Sequence, residues 1–126
     1  MTVVVGYIPN EYGEAALEAG LVEARRRGLR VVVVNSSKGD QLVDDRFASP
    51  EALAGLEGRF GDVEHEVRQT VGEDVADELL KVADEVGATM VVIGLRHRTP
   101  VGKLFMGSVA QRVLLHARVP VLAVKP

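Results

Sequence analysis

Cysteine is absent from the 126-residue chain. Its absence excludes a disulfide framework, a thiolate nucleophile and a cysteine-bound metal, but it does not by itself define the cellular compartment. Metal-ligand spacing is also lacking, because the three histidines, His65, His97 and His116, lie far apart in the sequence. We therefore predict no intrinsic metal, and we expect His65 and His116 to be surface residues.

An excess of basic charge is lacking too, since 15 Lys and Arg residues stand against 18 Asp and Glu residues, for a formal net charge of -3. Broad binding to nucleic acid or to an anionic membrane needs a basic face, so we expect neither. No hydrophobic run approaches the roughly 20 residues of a membrane span. Met1 leads directly into the valine run without the pattern of a secretory signal, so we expect a cytoplasmic protein.

The chain does have an ordinary globular composition, with 47% hydrophobic and 26% charged residues. A chain of this length can bury one core but has little room for a second module. We therefore predict one domain over residues 1–126.

Four short apolar runs are continuous and rich in β-branched residues, a pattern typical of strands buried on both faces. They cover residues 3–8, 31–34, 90–93 and 119–124. A fifth segment, residues 63–70, alternates apolar and charged side chains, as an edge strand with one wet face does.

Helical spacing fills the gaps between the strands. Residues 11–27 repeat apolar positions at helical intervals, with Asn10 as the predicted N-cap and Gly28 at the end. A second such pattern starts at Val75 and ends at Gly87. A helix starting near Pro50 contains several glycines, each of which costs helix stability about 1 kcal/mol relative to alanine, so we expect it to be short or frayed. The polar segment before it, residues 35–48, is predicted to be a loop.

Alternating strands and helices predict a parallel sheet with helices on both faces, connected by right-handed crossovers. Ligands bind such sheets beyond the carboxyl ends of the strands, where the strand order reverses. The loop after the first strand, with Ile8, Pro9 and Asn10, and the loop beginning at Gly94 are expected to meet there.

The loop from Gly94 to Ser108 carries the strongest chemical signal. Gly107 allows a ligand to approach the backbone, while Ser108 can cap the following helix or donate a hydrogen bond. The first turn of that helix offers free N–H groups to an anion. Four potential cations, Arg96, His97, Arg98 and Lys103, indicate a ligand that carries phosphate. The alternative is an ordinary turn and cap with solvated arginines.

The same loop resembles that of the universal stress protein family, whose nucleotide-binding members carry Gly-x-x-Gly, nine residues and then Gly-Ser or Gly-Thr. Gly94, the nine residues 98–106, Gly107 and Ser108 match this frame, and residues 109–114 and 119–124 resemble the family's last helix and strand. The resemblance implies a Rossmann-like fold of the adenine nucleotide alpha hydrolase type, with a five-stranded parallel sheet in the order 3-2-1-4-5. It also implies a homodimer joined through strand 5, residues 119–124.

The family resemblance further implies a site for ATP or another adenylate. Its residues would be Ile8, Pro9, Asn10, Asn35, Ser36, Gly94, Arg96, His97, Arg98, Gly107, Ser108 and Val109. The chain departs from the family pattern at three positions: His97 replaces the second glycine, Ile8 an aspartate, and Ala110 a hydroxyl residue. Histidine adds a Cβ and a titratable ring where glycine permits close approach of phosphate.

These observations leave three hypotheses. The favoured one is a cytoplasmic regulatory protein of the universal stress type that holds an adenylate without fast turnover, since no Gly-x-Ser-x-Gly elbow surrounds Ser108 and no general base is evident. The second is an interaction module whose pocket has lost its nucleotide. The third is a slow nucleotidase or nucleotidyl transferase.

Overall fold

The computed structural model describes residues 1–38, 46–95 and 107–126. Its strands are β1 (Thr2–Gly6), β2 (Arg30–Ser37), β3 (His65–Val71), β4 (Ala88–Gly94) and β5 (Val121–Val124). Its α-helices are α1 (Glu11–Arg27), α2 (Pro50–Leu56), α3 (Val75–Glu85) and α4 (Ser108–His116), and a single 3-10 turn, Glu57–Arg59, follows α2.

The five strands form one parallel sheet in the order β3-β2-β1-β4-β5, which confirms the predicted topology. The central strand β1 pairs with β2 on one side and β4 on the other, so that Val3 lies between Val31 and Met90. β3 is an edge strand, as its alternating sequence predicts. The strand order reverses between β1 and β4.

Helices cover both faces of the sheet, because successive valines of each strand point to opposite sides. Val3 and Val5 pack with Leu17 and Leu21 of α1, together with α2. On the other face, Val4 packs with helices α3 and α4. These strand valines are fully buried, which explains why their segments read as continuous apolar runs.

Helix α1 begins at the predicted polar cap, and glycines follow the ends of α1 and α3 where the sequence predicts them. The amide oxygen of Asn10 accepts hydrogen bonds from the backbone N–H groups of Tyr12 and Gly13 and so starts α1. Gly28 ends the same helix with a φ of 65°, and Gly87 follows α3 with a φ of 64°. Both angles lie in the left-handed region that glycine adopts without strain.

The strand boundaries differ from the sequence prediction by a few residues; β1, for example, ends at Gly6 and not at Ile8. β2 continues to Ser37, so Asn35 and Ser36 are buried strand residues and do not belong to the following loop. β5 begins at Val121 and not at Val119. The sequence did not predict the extension of β2, because Asn35 and Ser36 are polar and a strand marked by apolar residues would stop before them. Inside the fold the Asn35 amide is hydrogen bonded, whereas the Ser36 hydroxyl has no partner among the described residues.

His65 corrects a second expectation, because it is not an ordinary surface residue. Its ring stacks on Phe60 with centroids 3.8 Å apart, and its Nε2 lies 2.6 Å from the Glu57 carboxylate. The hydrogen bond to Glu57 raises the pKa of His65, although burial acts in the opposite direction. His116 is exposed, as expected. Among the described residues, no helix is long and apolar enough to cross a membrane.

Candidate functional site

A cavity of about 280 Å³ opens at the carboxyl ends of the strands, where the order reverses. The volume lies near the lower end of small-molecule pockets, about 300 Å³. The described residues around it are mostly apolar or glycine. They come from β1, β2, β4, α1, α3 and α4, from the segment between β1 and α1, and from the positions before α2 and α4. They are Gly6, Tyr7, Ile8, Asn10, Tyr12, Gly13, Val34, Ser36, Arg46, Val75, Leu79, Ile93, Gly94, Gly107, Val109 and Ala110.

Two glycines let α1 approach the sheet at this edge. A Cβ on Gly13 would overlap the carbonyl oxygen of Ile8, and a Cβ on Gly94 would overlap the carbonyl oxygen of Tyr12. The first turn of α1 therefore packs directly on the ends of β1 and β4. Gly94 thus has a packing role that holds whether or not a ligand binds.

The amino end of α4 faces the cavity, and no side chain of the described residues is recorded as its cap. Its N-cap is Gly107, at a φ of 86°, and Ser108 is the first helical residue, so the prediction that Ser108 can cap this helix is wrong. Among the α-helices of the described ranges, the other three are capped by the side chains of Asn10, Ser49 and Asp74. The first N–H groups of α4 have no acceptor within the helix and carry the positive end of its dipole.

Asn35 does not line the cavity, but its side chain hydrogen bonds to segments that surround the cavity. Its amide nitrogen donates to the carbonyl oxygens of Tyr7 at 3.0 Å and Arg46 at 2.7 Å. Its amide oxygen accepts from the N–H of Ala48 at 3.0 Å and from Nε2 of Gln69 at 2.9 Å. An asparagine amide has two donor hydrogens and two acceptor lone pairs, and the protein uses all four.

Tyr7 lines the cavity, but its hydroxyl points to other protein groups. The hydroxyl donates to Glu14 Oε1 at 2.9 Å, and Arg59 donates to Glu14 Oε2 at 2.8 Å. Burial, followed by the hydrogen bond and the charge of Glu14, raises the pKa of Tyr7 to about 12. Burial alone would raise the pKa of Glu14, but the hydrogen bonds from Arg59 and Tyr7 lower it. Tyr7 therefore stays protonated and cannot serve as a general base near neutral pH.

Ser36 differs from both of these residues. It is 4% exposed, it lines the cavity, and its hydroxyl has no hydrogen-bond partner among the described residues. Such a group is uncommon, because most buried polar side chains in native proteins are hydrogen bonded.

The structure brings half of the sequence-predicted site residues together at the cavity. Those that line it are Ile8, Asn10, Ser36, Gly94, Gly107 and Val109. Pro9, Asn35 and Ser108 are described but are not part of the lining. Arg96, His97, Arg98 and Lys103 lie outside the described residues.

Sequence reasoning missed the walls contributed by α3 and by the segment before α2. Val75 and Leu79 line the cavity from the start of α3. Their helical spacing could have predicted this, because a helix that follows a parallel strand begins at the carboxyl end of the sheet. Arg46 also lines it, without a motif to mark it. Within the described ranges, no group of three or more His, Cys, Asp or Glu residues could hold a metal ion.

Comparison with known proteins identifies the family, because the universal stress protein family model matches residues 1–125. The chain belongs to the universal stress protein family. A universal stress protein of Mycolicibacterium smegmatis is 49% identical over 126 residues, covering 98% of this chain and 97% of that protein. One from Thermus aquaticus is 30% identical, with 98% of each covered. Neither relative is named as an enzyme.

Solved structures of the family share the fold. A universal stress protein from Archaeoglobus fulgidus is 37% identical, with a TM-score of 0.84 and coverage of 99% of this chain and 98% of that one. A structure from the same organism in complex with dAMP is 32% identical, with a TM-score of 0.75 and the same coverage. A third structure, in complex with cAMP, is 27% identical with a TM-score of 0.75, covering 99% of this chain and 96% of that one.

Proposed function

We propose that this protein is a regulatory binding protein that holds ATP or a related adenylate in the cavity at the strand switch point. The observation that carries the proposal is the uncapped amino end of α4, which borders a cavity that continues to the end of β2. One ligand with a charged end and a flat, largely apolar end would match both parts of this cavity.

The phosphate end of the ligand is proposed to lie at α4. Gly107 has no side chain to hinder an approaching phosphate, and the N–H groups of Ser108, Val109 and Ala110 are the donors that a helix leaves without internal acceptors. Anions are stabilised there by direct hydrogen bonds and by the helix dipole. Arg96, His97 and Arg98 remain proposed contributors from the sequence motif.

The base and sugar are proposed to lie toward β2 and α3. Val34 of β2 together with Val75 and Leu79 of α3 provides an apolar wall, which suits the faces of a purine ring. Ile8 adds apolar surface beside the proposed ribose. The family members solved with dAMP and with cAMP support an adenylate as the ligand.

Calorimetric and thermal-shift titrations with ATP, ADP, AMP and cyclic AMP test the proposal. Ser108→Asp places a carboxylate in the first turn of α4, where it favours the helix but repels phosphate. At about 1 kcal/mol for two charges 4 Å apart in water, we expect ATP to bind about fivefold or more weakly, while uncharged adenosine is hardly affected. Ser49→Asp, the same change at the capped start of α2, is the matched control.

No binding of any of the four nucleotides at millimolar concentration would overturn the nucleotide proposal. The interaction module with a degenerate pocket would then become the better account of the same fold. Location in the cytoplasm stays a prediction from the sequence.

We also propose a homodimer joined through β5. The carbonyl oxygens of Pro120 and Val124 accept hydrogen bonds from β4, so by strand alternation the backbone groups of Val121 and Ala123 point to the open edge of the sheet. The side chains of Val121–Val124 are all partly exposed, and Leu115 on the neighbouring helix is 71% exposed. An unpaired edge of this kind is a ready pairing surface.

Light scattering tests the dimer, and the expected mass is twice the 13.5 kDa of one chain. Ala123→Pro removes an outward N–H without removing a donor to β4, so this variant should be monomeric. A monomeric wild-type protein would contradict the proposal.

A further inference from the structure

A second, smaller cavity of about 150 Å³ lies at the amino edge of the sheet, on the side opposite the proposed nucleotide site. It forms where the carboxyl ends of α3 and α4 meet the start of β4 and the segment that leads into β5. Its volume is well below the roughly 300 Å³ at which small-molecule pockets begin, so it suits a small side chain better than a nucleotide. Its floor is apolar and its rim is exposed and mostly charged. The floor is Leu80, Ala83, Ala88 and Val119, and the rim is Asp84, Gly87, His116 and Arg118.

The charged groups of this rim are not used within the described parts of the chain. Asp84 and Arg118 form no ion pair with any other described residue. The next residue along α3, Glu85, is different, because its carboxylate lies 3.1 Å from the Arg68 guanidinium. An apolar floor with a free carboxylate at its rim fits a partner segment that carries a basic group beside an apolar one.

Such a segment follows β5 in this same chain. Val119, Val121 and Ala123 pack toward α3 and α4, whereas the residues between them pack toward α1. Alternation along the strand therefore places Lys125 on the face where the small cavity opens. Lys125 is exposed and forms no ion pair with the rest of the described chain, and Pro126 follows it.

A dimer joined through β5 brings the segment and the cavity together. Identical strands related by a two-fold axis run antiparallel, and a pairing that uses both outward residues places Val121 of one copy opposite Ala123 of the other. In the same register, Lys125 of the second copy lies opposite Val119 of the first. Opposed residues of this kind lie about 5.5 Å apart and point to the same face, so the long Lys125 side chain can reach Asp84.

We propose, resting on the proposed dimer, that the small cavity is the docking site for Lys125 and Pro126 of a second copy of the chain. The Lys125 ammonium pairs with Asp84, and the Pro126 ring covers the apolar floor. Arg118 donates hydrogen bonds to main-chain carbonyl oxygens of the arriving segment. Proline has no backbone N–H, so the ladder between the two β5 strands ends at the cavity. The two-fold axis makes the contact reciprocal, and each dimer contains it twice.

Charge reversal tests the docking, with the dimer Kd of the full chain measured by sedimentation equilibrium at low salt. Asp84→Lys and Lys125→Asp each place like charges at both contacts. An exposed ion pair contributes up to about fivefold, so with two contacts per dimer each variant should raise the Kd about tenfold or more. An equimolar mixture of the two variants restores opposite charges at both contacts. This mixture should therefore form heterodimers with a Kd within about threefold of the wild type.

Glu85→Lys is the matched control, because it makes the same change of charge one residue along α3, outside the cavity lining. It should leave the dimer Kd within about threefold of the wild type. Its mixture with Lys125→Asp restores opposite charges at only one of the two contacts, and should dimerise more weakly than the mixture with Asp84→Lys. Equal weakening by Glu85→Lys would reduce the effect to net charge and overturn the docking.

Failure of the dimer and failure of the docking give different results. A monomeric wild-type protein would remove the proposed dimer and the docking with it. A wild-type dimer whose Kd is unchanged in Asp84→Lys and Lys125→Asp would leave the β5 dimer in place, with another occupant for the cavity, and would overturn the docking alone. The docking would also be overturned if both variants weaken the dimer but their mixture does not recover, since the two side chains would then not meet across the interface.

Discussion

Replacing Asn35 with alanine is expected to destabilise the fold strongly, because this fully buried side chain joins three separate segments. It connects the end of β1 through the Tyr7 carbonyl, the segment before α2 through Arg46 and Ala48, and β3 through Gln69. Alanine removes all four hydrogen bonds and supplies no replacement.

The magnitude follows from the groups left behind. The Tyr7 carbonyl and the Ala48 N–H make buried hydrogen bonds to Asn35, whereas the contacts to Arg46 and Gln69 are only part-buried. An unsatisfied buried backbone group costs about 1–3 kcal/mol, so Asn35→Ala should cost about 2–6 kcal/mol. That is a large part of the roughly 5–15 kcal/mol that holds a domain folded.

Urea unfolding followed by circular dichroism measures this loss. With a slope of about 1–3 kcal/mol per molar urea, the midpoint of Asn35→Ala should fall by roughly 1–3 M. Gln69→Ala is a milder companion that leaves the backbone partners of Asn35 in place, and it should cost only about 1 kcal/mol. A midpoint for Asn35→Ala within about 0.3 M of the wild type would refute the assignment of Asn35 as a structural hub.

Two further predictions concern packing and pH. Gly94→Ala should lower the free energy of unfolding by about 1–3 kcal/mol in thermal denaturation, because its Cβ would overlap the Tyr12 carbonyl. In the control Gly55→Ala, the Cβ meets open space within a helix, so this change should raise the free energy of unfolding by about 0.5–1 kcal/mol. Equal effects of the two substitutions would contradict the packing argument. The folded-state pKa of His65 is raised, so its pairing with Glu57 should stabilise the fold below pH 6.5 and lose this contribution as the pH rises through the folded pKa. Since the Glu57 side chain is 59% exposed, we expect only about 0.5 kcal/mol; a difference between wild type and Glu57→Gln that is the same at pH 5.5 and pH 8 would exclude the effect.

The fold was largely predictable because its signals are local. The valine runs of β1 and β2 are buried on both faces, so hydrophobicity alone marks them as central strands. The spacing of apolar residues and the glycines at positions 28 and 87 set the ends of α1 and α3. Each of these signals depends on residues within a few positions of one another.

The candidate site was predictable only in outline. The motif correctly indicated Gly94, Gly107 and Val109 at the edge of the cavity. The family resemblance also implied Asn35 as a site residue, but its hydrogen-bonding capacity is used within the protein. Whether a β2 residue such as Asn35 lines the cavity or bonds to other segments depends on the register of β2 against β1 and β3. No single segment of the sequence encodes that register.

The sequence by itself therefore determined the succession of strands and helices, the family, and the loop whose two ends, Gly94 and Gly107, line the cavity. Only the tertiary structure decided that the buried Asn35 amide is hydrogen bonded, while the neighbouring Ser36 hydroxyl has no partner among the described residues. It also decided that Arg59 reaches Glu14 across 45 positions, which keeps the Tyr7 hydroxyl occupied beside the cavity. The physical reason is that periodicity arises between chain neighbours, whereas the pairing of buried polar groups arises between segments that meet only when the sheet has formed.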